Sequence, residues 1–129
     1  MNRRIRLSER LTSIRCALSG IATLVRSQPN ARLHVGTTAV VILVGFWCGL
    51  SAGEWCLIVL AVLAVWTAEA LNTAIEFLAD AATPEFHHLV RQSKDVAAGA
   101  VLLAALGAAA VGLIILGPHL IRTLNATQR

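Results

Sequence analysis

Glu69, Asn72, Glu76 and Asp80 share one helical face. At roughly 100° per residue they fall within an arc of about 80°, and Thr73 joins them. One side of a helix thus presents three carboxylates, an amide and a hydroxyl. Carboxylates so close together repel unless something neutralises them, and a divalent cation is the obvious candidate. Mg²⁺ takes few protein carboxylates and prefers water and phosphate oxygens. The segment that follows supplies Lys94, the only lysine in the chain, with Asp95 directly after it. Carboxylates, a metal and one lysine describe a phosphoryl-transfer site. No Gly-x-x-x-x-Gly-Lys-Ser/Thr loop is present, so a nucleotide would be held by another device.

The elements that carry these residues follow from composition. Of 129 residues, 57% are apolar and 14% charged, with a mean hydropathy of +0.71. A soluble domain has about 45–50% apolar and 25% charged residues. The excess excludes a disordered chain, a nucleic-acid arm and an ordinary water-soluble enzyme, and points to a membrane protein. The net charge is +4, and seven of the eleven basic residues precede Leu33, against one acid, Glu9. That cationic end reads as a cytoplasmic membrane-surface segment. With no tyrosine and three tryptophans, base-stacking surfaces are not expected, and nucleic acid is no partner.

Two uncharged stretches, 35–53 and 96–118, are 19 and 23 residues long. A helix needs about 20 residues to cross roughly 30 Å of hydrocarbon. Between them, residues 55–68 are uncharged and continue in helical pattern through Glu69 to Asp80. The expectation is an all-α membrane protein with transmembrane helices over 33–53, 55–80 and 96–118. Ahead of them, Leu7, Leu11, Ile14, Leu18, Ile21 and Val25 recur at three- and four-residue steps opposite Arg3, Arg4, Arg6, Arg10, Arg15 and Arg26. That is an amphipathic surface helix over 1–28. Ser27-Gln28-Pro29-Asn30 breaks it and is expected to cap the next helix.

Lys and Arg placement puts the N-terminus and the 81–95 loop, with Arg91 and Lys94, on the cytoplasmic side. If the second span crosses over about residues 55–74, Glu69 lies roughly 8 Å inside the cytoplasmic boundary. Glu76 and Asp80 lie at or beyond it, so the polar face straddles the interface. An intramembrane carboxylate costs about 2.5–3.5 kcal/mol on insertion scales, which argues for function. Gly45, Gly49 and Gly53, like Gly99, Gly107 and Gly112, are expected at close helix contacts. Cys16, Cys48 and Cys56 give no disulfide framework and read as small apolar fillers. His34, His88 and His119 are expected to be interfacial or solvated. The whole chain, 1–129, forms one domain with no separate soluble part.

Three segments carry a resemblance: Glu69-Ala70-Leu71-Asn72-Thr73-Ala74-Ile75-Glu76, then Pro84-Glu85-Phe86-His87, then Lys94-Asp95-Val96-Ala97-Ala98-Gly99-Ala100-Val101. With this spacing the sequence resembles the prokaryotic diacylglycerol kinase and undecaprenol kinase family over about residues 10–116. The resemblance implies a homotrimeric lipid kinase of the bacterial cytoplasmic (inner) membrane, with active sites formed between subunits. It would move the γ-phosphoryl group of ATP to a lipid hydroxyl with Mg²⁺. Glu69 would be the general base and Asn72 would orient substrate or phosphate. Glu76 would ligate Mg²⁺, and Glu85, His87, Lys94 and Asp95 would contact ATP. Arg32 and Gly20 match further family positions. The sequence departs from the family at Gln28, where Glu often supplies a second metal ligand. A neutral amide oxygen can still coordinate Mg²⁺. It departs also at Cys16, where an aromatic covers the nucleotide base.

By the same resemblance the acceptor would be diacylglycerol, giving phosphatidate, or undecaprenol, giving undecaprenyl phosphate for envelope glycan synthesis. The 81–95 connection and residues 28–32 lean toward the undecaprenol branch. Two other classes compete. A small transporter or ion pathway explains Glu69 but not Lys94 and Asp95. A structural membrane subunit would use the polar face for assembly.

Overall fold

A computed structural model describes residues 7–82 and 87–127. It is all-helical: α1 (Leu7–Ser27), α2 (Pro29–Cys48), α3 (Ala52–Ala82) and α4 (His88–Thr127). The last three are long and apolar enough to cross a membrane. The apolar stripe of α1 is real but unpacked: Leu11, Ile14, Leu18 and Ile21 are all exposed, whereas Leu24 is buried. A helix so arranged has its greasy side free for a lipid surface.

Gln28 separates α1 from α2. A residue before proline is pushed out of the helical region, and Gln28 is extended, with φ −106° and ψ 120°. Pro29 then starts α2, where its missing N–H costs nothing. The expected capping by this segment does not occur: Gln28 stands at the N-cap without a side-chain cap bond, because its amide is used elsewhere.

At the far end, α2 stops at Cys48, five residues short of the expected boundary. Gly49 adopts φ +67°, a left-handed conformation that glycine takes without strain. The Gly49 N–H reaches the Phe46 carbonyl at 3.2 Å and the Leu50 N–H reaches that of Gly45 at 3.2 Å. This pair of bonds is a Schellman motif. The three glycines here therefore do three different things. Gly45 packs against the Trp55 ring, Gly49 ends the helix, and Gly53 meets nothing nearby. A Cβ added at Gly99, Gly107 or Gly112 would likewise meet nothing within 4 Å.

Helix α3 opens with a capping box. The Ser51 N–H donates to Glu54 Oε2 at 2.8 Å, and the Glu54 N–H donates to Ser51 Oγ at 3.4 Å. Glu54 Oε1 meets His119 Nε2 at 2.8 Å, tying the start of α3 to α4. Helix α4 is longer than expected at both ends. Residues 88–95 form its first two turns rather than a loop. They are helical but polar, and a hydropathy criterion detects membrane crossing rather than helix. At the other end the helix continues through Pro118 to Thr127. The most extensive packing joins α3 and α4. A small core of Leu50, Ile58 and Ile115, flanked by Val41, Trp55 and Val111, fills the end of the bundle away from Glu69.

Candidate functional site

The polar residues of α3 lie at the opposite end from that core. Glu69 is 1% exposed, Asn72 8% and Thr73 4%. Three atoms in this group have no hydrogen-bond partner: Glu69 Oε2, Asn72 Oδ1 and Thr73 Oγ1. Each buried orphan costs about 1–3 kcal/mol, so three within two helical turns mark a place built for something other than stability.

Glu76, half-buried one turn further on, is held from two sides. The Asn72 amide Nδ2 donates to its Oε1 at 3.1 Å. The Gln28 amide Nε2 donates to its Oε2 at 3.0 Å. The second bond spans 48 residues of sequence, and it is the extended backbone before Pro29 that lets Gln28 reach across. Residues 28, 72 and 76 therefore form one hydrogen-bonded cluster, with Glu69 beside it toward the helix centre.

At the rim, Lys94 Nζ donates to Asp80 Oδ1 at 2.9 Å, with the Asp80 side chain well exposed and that of Lys94 partly so. Asp95 lies on α4 and is turned to solvent, 4.0 Å from Arg91. It does not join the Glu76 cluster. His87 is exposed, and its ring stacks on that of His88 with centroids 5.2 Å apart. Cys16 is exposed on α1, and Cys56 is exposed too, so neither fills a core. Glu85 lies outside the described residues. Among the described residues, no group of three or more His, Cys, Asp or Glu side chains is gathered for a metal.

Two crevices flank the polar stripe. One, of about 890 Å³, runs between α3 and α4 and is lined by Leu71, Asn72, Ile75, Val96 and Ala97. The other, of about 500 Å³, lies between α1 and α3 and is lined by Ala17, Gly20, Thr73, Ala74 and Phe77. Sequence reasoning missed the Glu54–His119 contact, although Ser51-x-x-Glu54 is a legible capping pattern. It also missed the Trp66 Nε1 to Thr38 Oγ1 bond of 3.2 Å between α3 and α2, for which one sequence holds no signal.

Residues 15–116 match the family model described as prokaryotic diacylglycerol kinase. The chain is 38% identical over 101 residues to the undecaprenol kinase of Bacillus subtilis, covering 78% of this chain and 82% of that protein. It is 38% identical over 112 residues to a diacylglycerol kinase of Synechocystis, covering 86% of this chain and 64% of that one. The diacylglycerol kinase of Escherichia coli K12 is 32% identical over 78 residues, 60% of this chain and 64% of the relative. The matches thus span just under two thirds of the length of both diacylglycerol kinases. No solved structure matches this chain.

Proposed function

The chain belongs to the prokaryotic diacylglycerol kinase family, and from that premise we propose that it transfers the γ-phosphoryl group of ATP to the hydroxyl of a membrane lipid. The observation that carries this reading is Glu69. It is a carboxyl group 1% exposed in an apolar helix, with one oxygen unpartnered. Such a group is placed to receive a proton from a hydroxyl entering from the bilayer. In this reading Glu69 is the general base. Asn72 holds Glu76 through its Nδ2 and keeps Oδ1 free for the incoming group.

The donor side of the reaction falls to residues near the rim. Lys94 is held to Asp80 only by an exposed ion pair, which is a weak restraint. It is therefore free to turn onto a phosphate. His87, Asp95 and Glu85 complete the nucleotide contacts in this reading, with Cys16 toward the base. The oxygens of Glu76 and Gln28 are hard donors held side by side, with the Asn72 amide fixing Glu76 from the other side. That set suits Mg²⁺, which takes one or two carboxylates alongside phosphate oxygens and water. Bound there, Mg²⁺ would neutralise charge on the transferring phosphoryl group.

We further propose that the protein works as a homotrimer in the bacterial inner membrane, with α1 and the Lys94 end cytoplasmic. An ion pathway through Glu69 would leave Lys94 and Asp95 without a role. The acceptor is undecaprenol or diacylglycerol. Purified protein in mixed micelles, given γ-labelled ATP and Mg²⁺ with each lipid in turn, should move label into one of them. A panel of lipid alcohols that all stay unlabelled would remove the kinase reading.

A further inference from the structure

Thr73 is the residue of the polar face that the proposed chemistry leaves unused. Its side chain is 4% exposed and its hydroxyl has no partner. A buried threonine in a helix normally returns its hydroxyl to the carbonyl four residues back. Half-buried Thr123 does so here, as does exposed Thr23. Thr73 does not, so its donor and its acceptor capacity are both open.

Its position says what the hydroxyl meets. Thr73 follows Glu69 by four residues, about 40° around the helix and roughly 5–6 Å away between Cβ atoms. It therefore borders the polar stripe on one side. On the other side it lines the 500 Å³ crevice between α1 and α3, with Ala17, Gly20, Ala70 and Phe77. The crevice is apolar apart from a few hydroxyls, and a Cβ added at Gly20 would meet nothing, so the space is open. It lies beside the exposed apolar stripe of α1, the natural route for a lipid tail.

Phosphoryl transfer adds a directional constraint. The attacking and leaving oxygens lie roughly in line on opposite sides of the phosphorus. The acceptor oxygen must therefore reach the phosphorus and Glu69 at once, and Thr73, one turn along the helix from Glu69, borders that place.

We infer that Thr73 binds the acceptor hydroxyl of the lipid, donating its own O–H to one lone pair of that oxygen. The inference rests on the kinase reading above. The acceptor hydroxyl donates in turn to Glu69 Oε2, which leaves its second lone pair aimed at the phosphorus. As the new oxygen–phosphorus bond forms, the acceptor proton passes to Glu69. The bond from the γ-phosphorus to the bridging oxygen breaks, and its electron pair stays on ADP.

The test compares Thr73→Val with Thr73→Ser in the micelle assay, varying lipid and ATP separately. Valine keeps the shape and removes the hydroxyl. It should lower kcat/KM for the lipid by roughly 10- to 100-fold. The KM for ATP should hold within about twofold, and serine should recover most of the loss. Thermal melting in detergent checks the fold. If valine melts early, Thr73→Ala replaces it under the same criteria. Full lipid kcat/KM without the hydroxyl, an equal loss in the ATP KM, or a serine variant as poor as valine would each overturn the inference. An inactive wild-type enzyme would instead overturn the kinase reading and remove the basis of the inference.

Discussion

Single residues of this protein are informative because polar ones are scarce. Only seven acids occur in 129 residues, so a face carrying Glu69, Glu76 and Asp80 stands out against an apolar chain. That face was legible from spacing alone. How its members pair was not. Nothing local says that Gln28 would donate to Glu76 across 48 residues, or that Lys94 would turn to Asp80 rather than stay free. A second carboxylate beside Glu76 should bind Mg²⁺ more tightly than an amide does. Gln28→Glu is expected to shift the Mg²⁺ titration of activity several-fold to lower concentration. It should also melt lower than wild type in chelator, where two carboxylates face each other, and recover when Mg²⁺ is added. An unchanged titration would remove Gln28 from the metal site.

Elements were read well where periodicity governs and poorly where termination does. Three apolar helices and one amphipathic helix follow from runs and stripes of side chains. Their ends depend on details that hydropathy averages away. Gly49 stops α2 by its left-handed backbone, although Leu50 to Gly53 remain uncharged. Pro118 does not stop α4. Residues 88–95 are too polar to span a membrane, yet they continue the same helix. The α2–α3 corner gives a prediction. A Cβ at Gly45 would lie 2.7 Å from the Trp55 ring, whereas one at Gly36 meets nothing. The Trp55 ring also lies against Phe46, with centroids 4.9 Å apart, so it has little freedom to retreat. Gly45→Val should destabilise the protein in detergent by about 1–3 kcal/mol, as overpacked cores do. Gly36→Val should be much milder. Equal melting of the two variants would contradict the packing described at this corner.

The whole molecule exposes 9855 Å². A compact soluble chain of its 13.7 kDa mass exposes roughly 6,600 Å². The surplus is largely apolar: Phe46, Trp47, Leu103, Leu113 and Ile114 are all well exposed. One chain in water is therefore not a self-sufficient fold. A bilayer, further copies or both must cover it, in keeping with a multi-pass membrane protein. Glu69, the proposed base, lies inside that apolar surround, so base and assembly can be tested together. The most direct measurement is transfer of label from γ-labelled ATP to lipid in mixed micelles, by wild type and by Glu69→Gln at equal protein. Sedimentation of both variants would be followed in the same detergent. The account predicts label in the lipid phase for wild type and a loss of about 10²- to 10⁴-fold for Glu69→Gln, with sedimentation unchanged. A Glu69→Gln enzyme that assembles normally and phosphorylates lipid at nearly the wild-type rate would contradict it.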